Sequence, residues 1–271
     1  MLWPIMAIEA VPISQQQIAF AIGLLGIYVG WRGIISKMTG FYDIANASKN
    51  LLYGIVVGML FAVIIDNYIL FGIVNLSVNM LTLTFLSILI GISESSFVLF
   101  ILGRPRVVAL RASPPNGWAL GLGMGAMHSS VLIVRLFDEG LTSISNFSGF
   151  NIYSIIIGMC ISMSACFGHA LINAWQGYNI LNNNRLKPLL IGSLIRATLI
   201  ISLVLCLFLP IIMIAIIPII ILSWSPAQKI WVPSGMTPSA KQAFKRTLRQ
   251  SLKHELASNH RIKGNSLDSE E

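Results

Sequence analysis

Seven stretches of about twenty apolar residues follow one another through this chain, and a run of that length with little charge inside it crosses the hydrocarbon of a bilayer as a helix. On that ruler the spans fall at 16–36, 50–74, 79–103, 116–137, 151–176, 187–207 and 209–225. A backbone surrounded by lipid must bond to itself, so the expected fold class is all-α, a polytopic membrane helix bundle. Composition agrees: 55% of the 271 residues are hydrophobic and 10% are charged, whereas a soluble domain carries about a quarter charged residues. The run from Leu189 to Trp224 is too long for one span. Pro210 and Pro218 interrupt it, so two helices joined by a tight turn are expected there; one kinked helix with a re-entrant end is the alternative.

Charge in the connections gives an orientation. Arg32, Lys37 and Lys49 flank the first connection, Arg104, Arg106 and Arg111 the third, and Arg185 and Lys187 the fifth. The alternate connections hold little that is basic, and Arg135 is answered by Asp138 and Glu139. Basic loops stay in the cytoplasm, so the expected topology has the N-terminus outside and the C-terminus inside, in the cell membrane. Residues 1–15 then form a short extracytoplasmic segment. It has no Lys or Arg and carries Glu9, unlike the basic start of a secretory signal, and is expected to stay on the mature protein. The formal charge of +8 is spread over loops and tail, which argues against a nucleic-acid partner. Cys160, Cys166 and Cys206 lie in apolar runs and read as core filler.

Residues 226–271 form a basic cytoplasmic tail. Phe244, Leu248, Leu252 and Leu256 recur every fourth residue among Lys and Arg, which predicts an amphipathic helix over about 239–257, opened by a capping box at Ser239 and Gln242. Anionic lipid of the inner leaflet is its expected partner, with a protein helix as the alternative. After Ser258 the composition reads as a disordered end.

Ionisable groups in hydrocarbon are costly and each needs a partner or a purpose. Away from the span ends there are five: Asp66, Glu94, His128, His169 and Arg196. At about 1.5 Å of rise per residue, the last four, one from each of four helices, fall in one layer of the inner half, while Asp66 lies in the outer half. Ser162, Cys166, His169 and Asn173 share one helix face, as do Ser87, Gly91 and Glu94, and Gly121, Gly125 and His128. A polar pocket inside the bundle, open towards the cytoplasm, is the expected result. Two imidazoles and a carboxylate suit zinc, with Glu94, His128 and His169 as ligands and a fourth position for water. Against this stands a purely structural Glu94 and Arg196 ion pair, and Arg196 also opposes a cation by like charge.

The stretch Ile92–Arg104, a short basic loop and the Gly-rich Gly117–His128 together resemble the YhfC-type membrane peptidases, grouped with the PrsW and CPBP intramembrane proteases and with the seven-span scaffold subunit of γ-secretase. The resemblance covers about residues 80–205 and rests on order and spacing. It implies that Glu94 matches the second glutamate of a Glu-Glu-x-x-Arg helix, that His128 stands where the Gly-rich helix has a Glu, and that His169 matches the histidine of the next helix. Ser93 stands at the first glutamate, Phe97 at the motif arginine, and Arg196 near the place of the last histidine. Three functions follow as expectations. The first is hydrolysis of a membrane-borne peptide, with Glu94 activating water, His128 and His169 holding a metal or polarising the carbonyl, and Arg196 stabilising the oxyanion. The second is a non-catalytic scaffold in which Gly121, Gly123 and Gly125 dock a partner helix. The third is an ion- or proton-coupled transporter.

Overall fold

A computed structural model describes residues 11–74, 79–141 and 147–262. Among the described residues, seven helices are long and apolar enough to cross a membrane: α1 (Ile13–Met38), α2 (Ile44–Val74), α3 (Met80–Leu102), α4 (Ser113–Leu136), α5 (Ile152–Leu181), α6 (Leu186–Leu205) and α7 (Pro210–Gly235). An eighth helix, α8 (Pro238–Ile262), is polar and basic. The described residues contain no strand, only an isolated bridge between Thr39 and Tyr42. The chain is an all-helical, multi-pass integral membrane protein.

Local chemistry sets the helix ends. Asp43 accepts from the Asn46 amide at the start of α2, and Asn79 does the same for Thr82 at 2.8 Å on α3. Asn151 and Ser154 form a reciprocal capping box on α5. Such caps satisfy amide groups that the first helical turn leaves without acceptors. Pro114 and Pro115 sit in the first turn of α4, where a missing N–H costs nothing. The long apolar stretch divides as two helices: α6 ends at Leu205, and α7 opens on a tight turn at Pro210, with Pro218 held inside it.

Packing centres on α4. It has the lowest mean hydropathy of the seven, 1.4, yet 83% of its apolar window is buried, the largest share. Helices α5, α2 and α1 surround it, while α6 pairs with α3 and also touches α5. Glycine makes this possible. A Cβ on Gly121 would overlap the backbone of Ala170 on α5, and one on Gly123 would overlap Leu51 on α2, so the backbones meet at distances only a bare Cα permits. These glycines are spent on the chain's own helices, which removes the expected docking face for a partner helix.

Two tail expectations are corrected. Thr237, not Ser239, caps α8, its hydroxyl accepting from the Ala240 amide at 3.3 Å; Ser239 is already inside the helix, which Pro238 opens. The helix also continues through Ser258 to Ile262. The expected N-terminal segment lies largely outside the described residues, as do the 75–78 connection and the last nine residues.

Candidate functional site

The four groups expected in one layer meet. Glu94 on α3, His128 on α4, His169 on α5 and Arg196 on α6 form a single cluster, with Glu94, His169 and Arg196 fully buried and His128 3% exposed. Counting about 1.5 Å per residue from the helix ends next to the basic connections, the cluster lies about 12–22 Å into the bundle. Small residues let the carriers converge: Gly91, one turn before Glu94, packs on the Ser193 carbonyl of α6, and Gly117 on the Asn173 carbonyl of α5.

Arg196 organises the cluster. Its Nη1 donates to Glu94 Oε2 at 3.1 Å and to His169 Nδ1 at 3.0 Å. Its Nη2 donates to Asn173 Oδ1 and to Gln176 Oε1, the latter at 3.3 Å, and its Nε donates to Ser95 Oγ at 3.3 Å. A buried guanidinium is tolerated only when its donors are satisfied and its charge is matched, and here both conditions hold. Gln176 is held in turn, its Nε2 donating to the Pro188 carbonyl at 3.1 Å.

On the other side of Glu94 the cluster is incomplete. Oε1 lies 3.1 Å from His128 Nε2, yet neither atom has an aligned hydrogen bond, and His169 Nε2 is also without a partner. The two imidazole rings meet edge to face, 4.5 Å between centroids. Buried polar atoms are almost always paired, so three orphans in one cluster mark a place where a proton, a water or an ion belongs. Glu94, His128 and His169 each offer one ligand atom, all within 4.8 Å of one another, so the group could hold a metal ion.

The expected polar pocket is closed over at the cluster itself, where Glu94, His169 and Arg196 have no exposed surface. The opening beside His128 is instead an apolar crevice of about 10 Å3. Ala62 and Ile65 of α2, Leu132 of α4, and Ile200 and Leu203 of α6 line it, and these lie towards the helix ends away from the basic loops. That volume admits about one water molecule. The α5 stripe also divides: His169 and Asn173 face Arg196, whereas the Ser162 hydroxyl donates to the Ile22 carbonyl of α1 at 2.8 Å and Cys166 packs against Gly26.

Asp66 belongs to a separate pair. Its two carboxylate oxygens accept from Arg135 Nε and Nη2 at 2.8 and 2.6 Å, and Asp138 stands 3.9 Å from the same guanidinium. A wider helical turn, with hydrogen bonds five residues apart, lies at this point of α2 over Asp66–Leu70. Asp66→Asn is expected to cost about 1–3 kcal/mol, read as a lower unfolding midpoint in detergent. An unchanged midpoint would show that the pair is solvated and inert.

Sequence reading named Asn173 only as part of a stripe and passed over Ser95 and Gln176. The signal was present, since Asn173 and Gln176 stand four and seven residues after His169 on its own face. Comparison with protein-family models, with curated proteins and with solved structures returns no match.

Proposed function

We propose that the cluster is the water-activating centre of a glutamate-type intramembrane hydrolase, acting on an amide bond in a membrane-borne peptide with the basic loops in the cytoplasm. The observation that carries this is the pair of orphaned groups of opposite kind at Glu94 Oε1 and His169 Nε2. A guanidinium has only donors, so His169 Nδ1 must accept from Arg196; the proton of the neutral ring then sits on Nε2. Arg196 thereby turns His169 into a donor within the buried cluster, in which Glu94 Oε1, 3.1 Å from His128 Nε2, has no aligned hydrogen bond.

Those two roles are what amide hydrolysis requires. Glu94, with His128 sharing the proton, takes a proton from water as the water oxygen bonds to the carbonyl carbon. The carbonyl oxygen gains the negative charge and accepts from His169 Nε2–H. The stored proton passes to the leaving nitrogen as the C–N bond breaks, giving an acid and an amine. The resemblance of Ile92–Arg104 and Gly117–His128 to the YhfC, PrsW and CPBP peptidases, in order and spacing, is in keeping with this reading.

A metal reading is favoured by the convergence of three ligand atoms, but it asks more of this chain. His169 Nδ1 is already occupied by Arg196, and freeing Nε2 to bind a metal would put Nδ1–H against the guanidinium, donor facing donor. A scaffold reading is favoured by the closed site and its crevice for a single water.

One experiment separates the three. The protein is reconstituted with a quenched peptide bearing an apolar transmembrane segment, in water enriched in heavy oxygen, and bound metal is measured by mass spectrometry. The expected result is label in one new carboxyl terminus, metal far below one per chain, and turnover that chelators leave unchanged. Glu94→Gln combined with Arg196→Gln removes both charges together, and should abolish turnover, by about 10²–10⁴-fold, in a folded protein. One zinc per chain, lost in His128→Ala and in His169→Ala, would replace this mechanism with the metal-dependent one. No labelled product with any such peptide would leave the scaffold.

A further inference from the structure

We propose that α8 is a docking surface for an anionic lipid leaflet. The helix carries two parallel lines of side chains, each repeating every fourth residue: Phe244, Leu248, Leu252 and Leu256 on one, and Lys245, Arg249 and Lys253 beside it. Only the first apolar residue is used within the fold. Phe244 is buried and meets Phe41 edge-on at 5.6 Å between ring centroids. Leu248, Leu252 and Leu256 are 36%, 59% and 60% exposed, so the apolar line continues uncovered for three turns.

Position says what covers it. Only Met236 and Thr237 separate α7 from α8, a link of at most about 7 Å, so the helix begins where the last span leaves the bilayer. Phe41 belongs to the connection between α1 and α2, and the Arg111 guanidinium, in the connection between α3 and α4, donates to the Ser234 carbonyl at 3.0 Å. The root of α8 is therefore pinned to the end of the bundle that carries Lys37, Arg104, Arg106, Arg111, Arg185 and Lys187. A helix held there, with leucines and cations side by side, puts the leucines among acyl chains and the cations among headgroups.

Charge selects the lipid. Over Pro238–Ile262 there are six Lys and Arg against one acidic residue, Glu255, which favours phosphatidylserine or phosphatidylglycerol over a zwitterionic headgroup. A second copy of the helix fits less well. A coiled-coil seam alternates spacings of three and four, whereas here the spacing is four throughout, and the adjacent cationic line would face its own image.

The test uses the full chain in vesicles of phosphatidylcholine alone and with about 30% phosphatidylserine, a composition that gives a negative surface potential. Hydrogen exchange of the 244–257 amides is the readout. With the anionic lipid, exchange is expected to slow by about tenfold, with the protection reduced in about 0.5 M salt and abolished in K245Q/R249Q/K253Q. L248Q/L252Q should lose it too, while exchange in α4 stays unchanged in every variant. Equal exchange in the two vesicle types would overturn the proposal. So would protection that survives in the triple variant, or protection in detergent that rises with protein concentration, which would assign the surface to a second copy.

Discussion

Arg196→Met is expected to cost about 3–5 kcal/mol of stability, because it strips the counter-charge from a carboxylate with no exposed surface. Glu94 would keep only His128 and His169 as partners, at 3.1 and 3.8 Å, and would hold its charge only by drawing a proton onto one of them. The measurement is the unfolding midpoint in mild detergent, and most molecules of the single variant should fail to fold. Glu94→Gln added to Arg196→Met should recover most of the loss, since the pair is then removed as a unit. The recovery stays incomplete because Asn173 Oδ1 and Gln176 Oε1 lose their donor. If the single variant is as stable as the parent, the cluster is hydrated and its charges are not coupled.

The second large effect concerns backbone contact. Gly125→Val is expected to cost about 3 kcal/mol or more, because the new side chain would start inside the Ala165 and Cys166 backbone of α5 and neither helix can retreat without losing other contacts. Gly158→Ala is the control: the atoms nearest its Cβ would be those of the Ile133 side chain, the first at 3.3 Å, and it should change stability by under about 1 kcal/mol. Similar midpoints for the two variants would show that α4 and α5 are held apart more loosely than their glycines imply.

Span number and the division at Pro210 were readable from the sequence because length and hydrophobicity act through the solvent, which is uniform along the chain. The meeting of Glu94, His128, His169 and Arg196 was readable for a related reason, since burying charge in hydrocarbon leaves few arrangements open. What escaped were contacts that depend on helix rotation. Arg135 looked sufficiently answered by Asp138 and Glu139, three and four residues along its own chain, whereas Asp66 on α2 makes the bidentate bond. Nothing in one sequence reports the angle at which α2 faces α4. The closure of the cluster escaped for the same reason: three polar helix faces suggest an open polar pocket, but in the bundle they turn towards one another, and the crevice beside His128 is apolar. Thr237 displaced Ser239 as the α8 cap because Pro238 suits the first helical position.

The central place of α4 bears on how the protein is made. This helix is the most buried of the seven, and it is also the one whose own sequence least favours leaving water, with His128 and Arg135 along it and glycine at positions 117, 121, 123 and 125. Partitioned alone into the bilayer, it would expose groups that α2, α3 and α5 satisfy. Its membrane insertion is therefore expected to be a joint event with its neighbours: a nascent chain that ends at Leu136 already holds Asp66 and Glu94, the partners of Arg135 and His128, but lacks α5, against which Gly121 and Gly125 close.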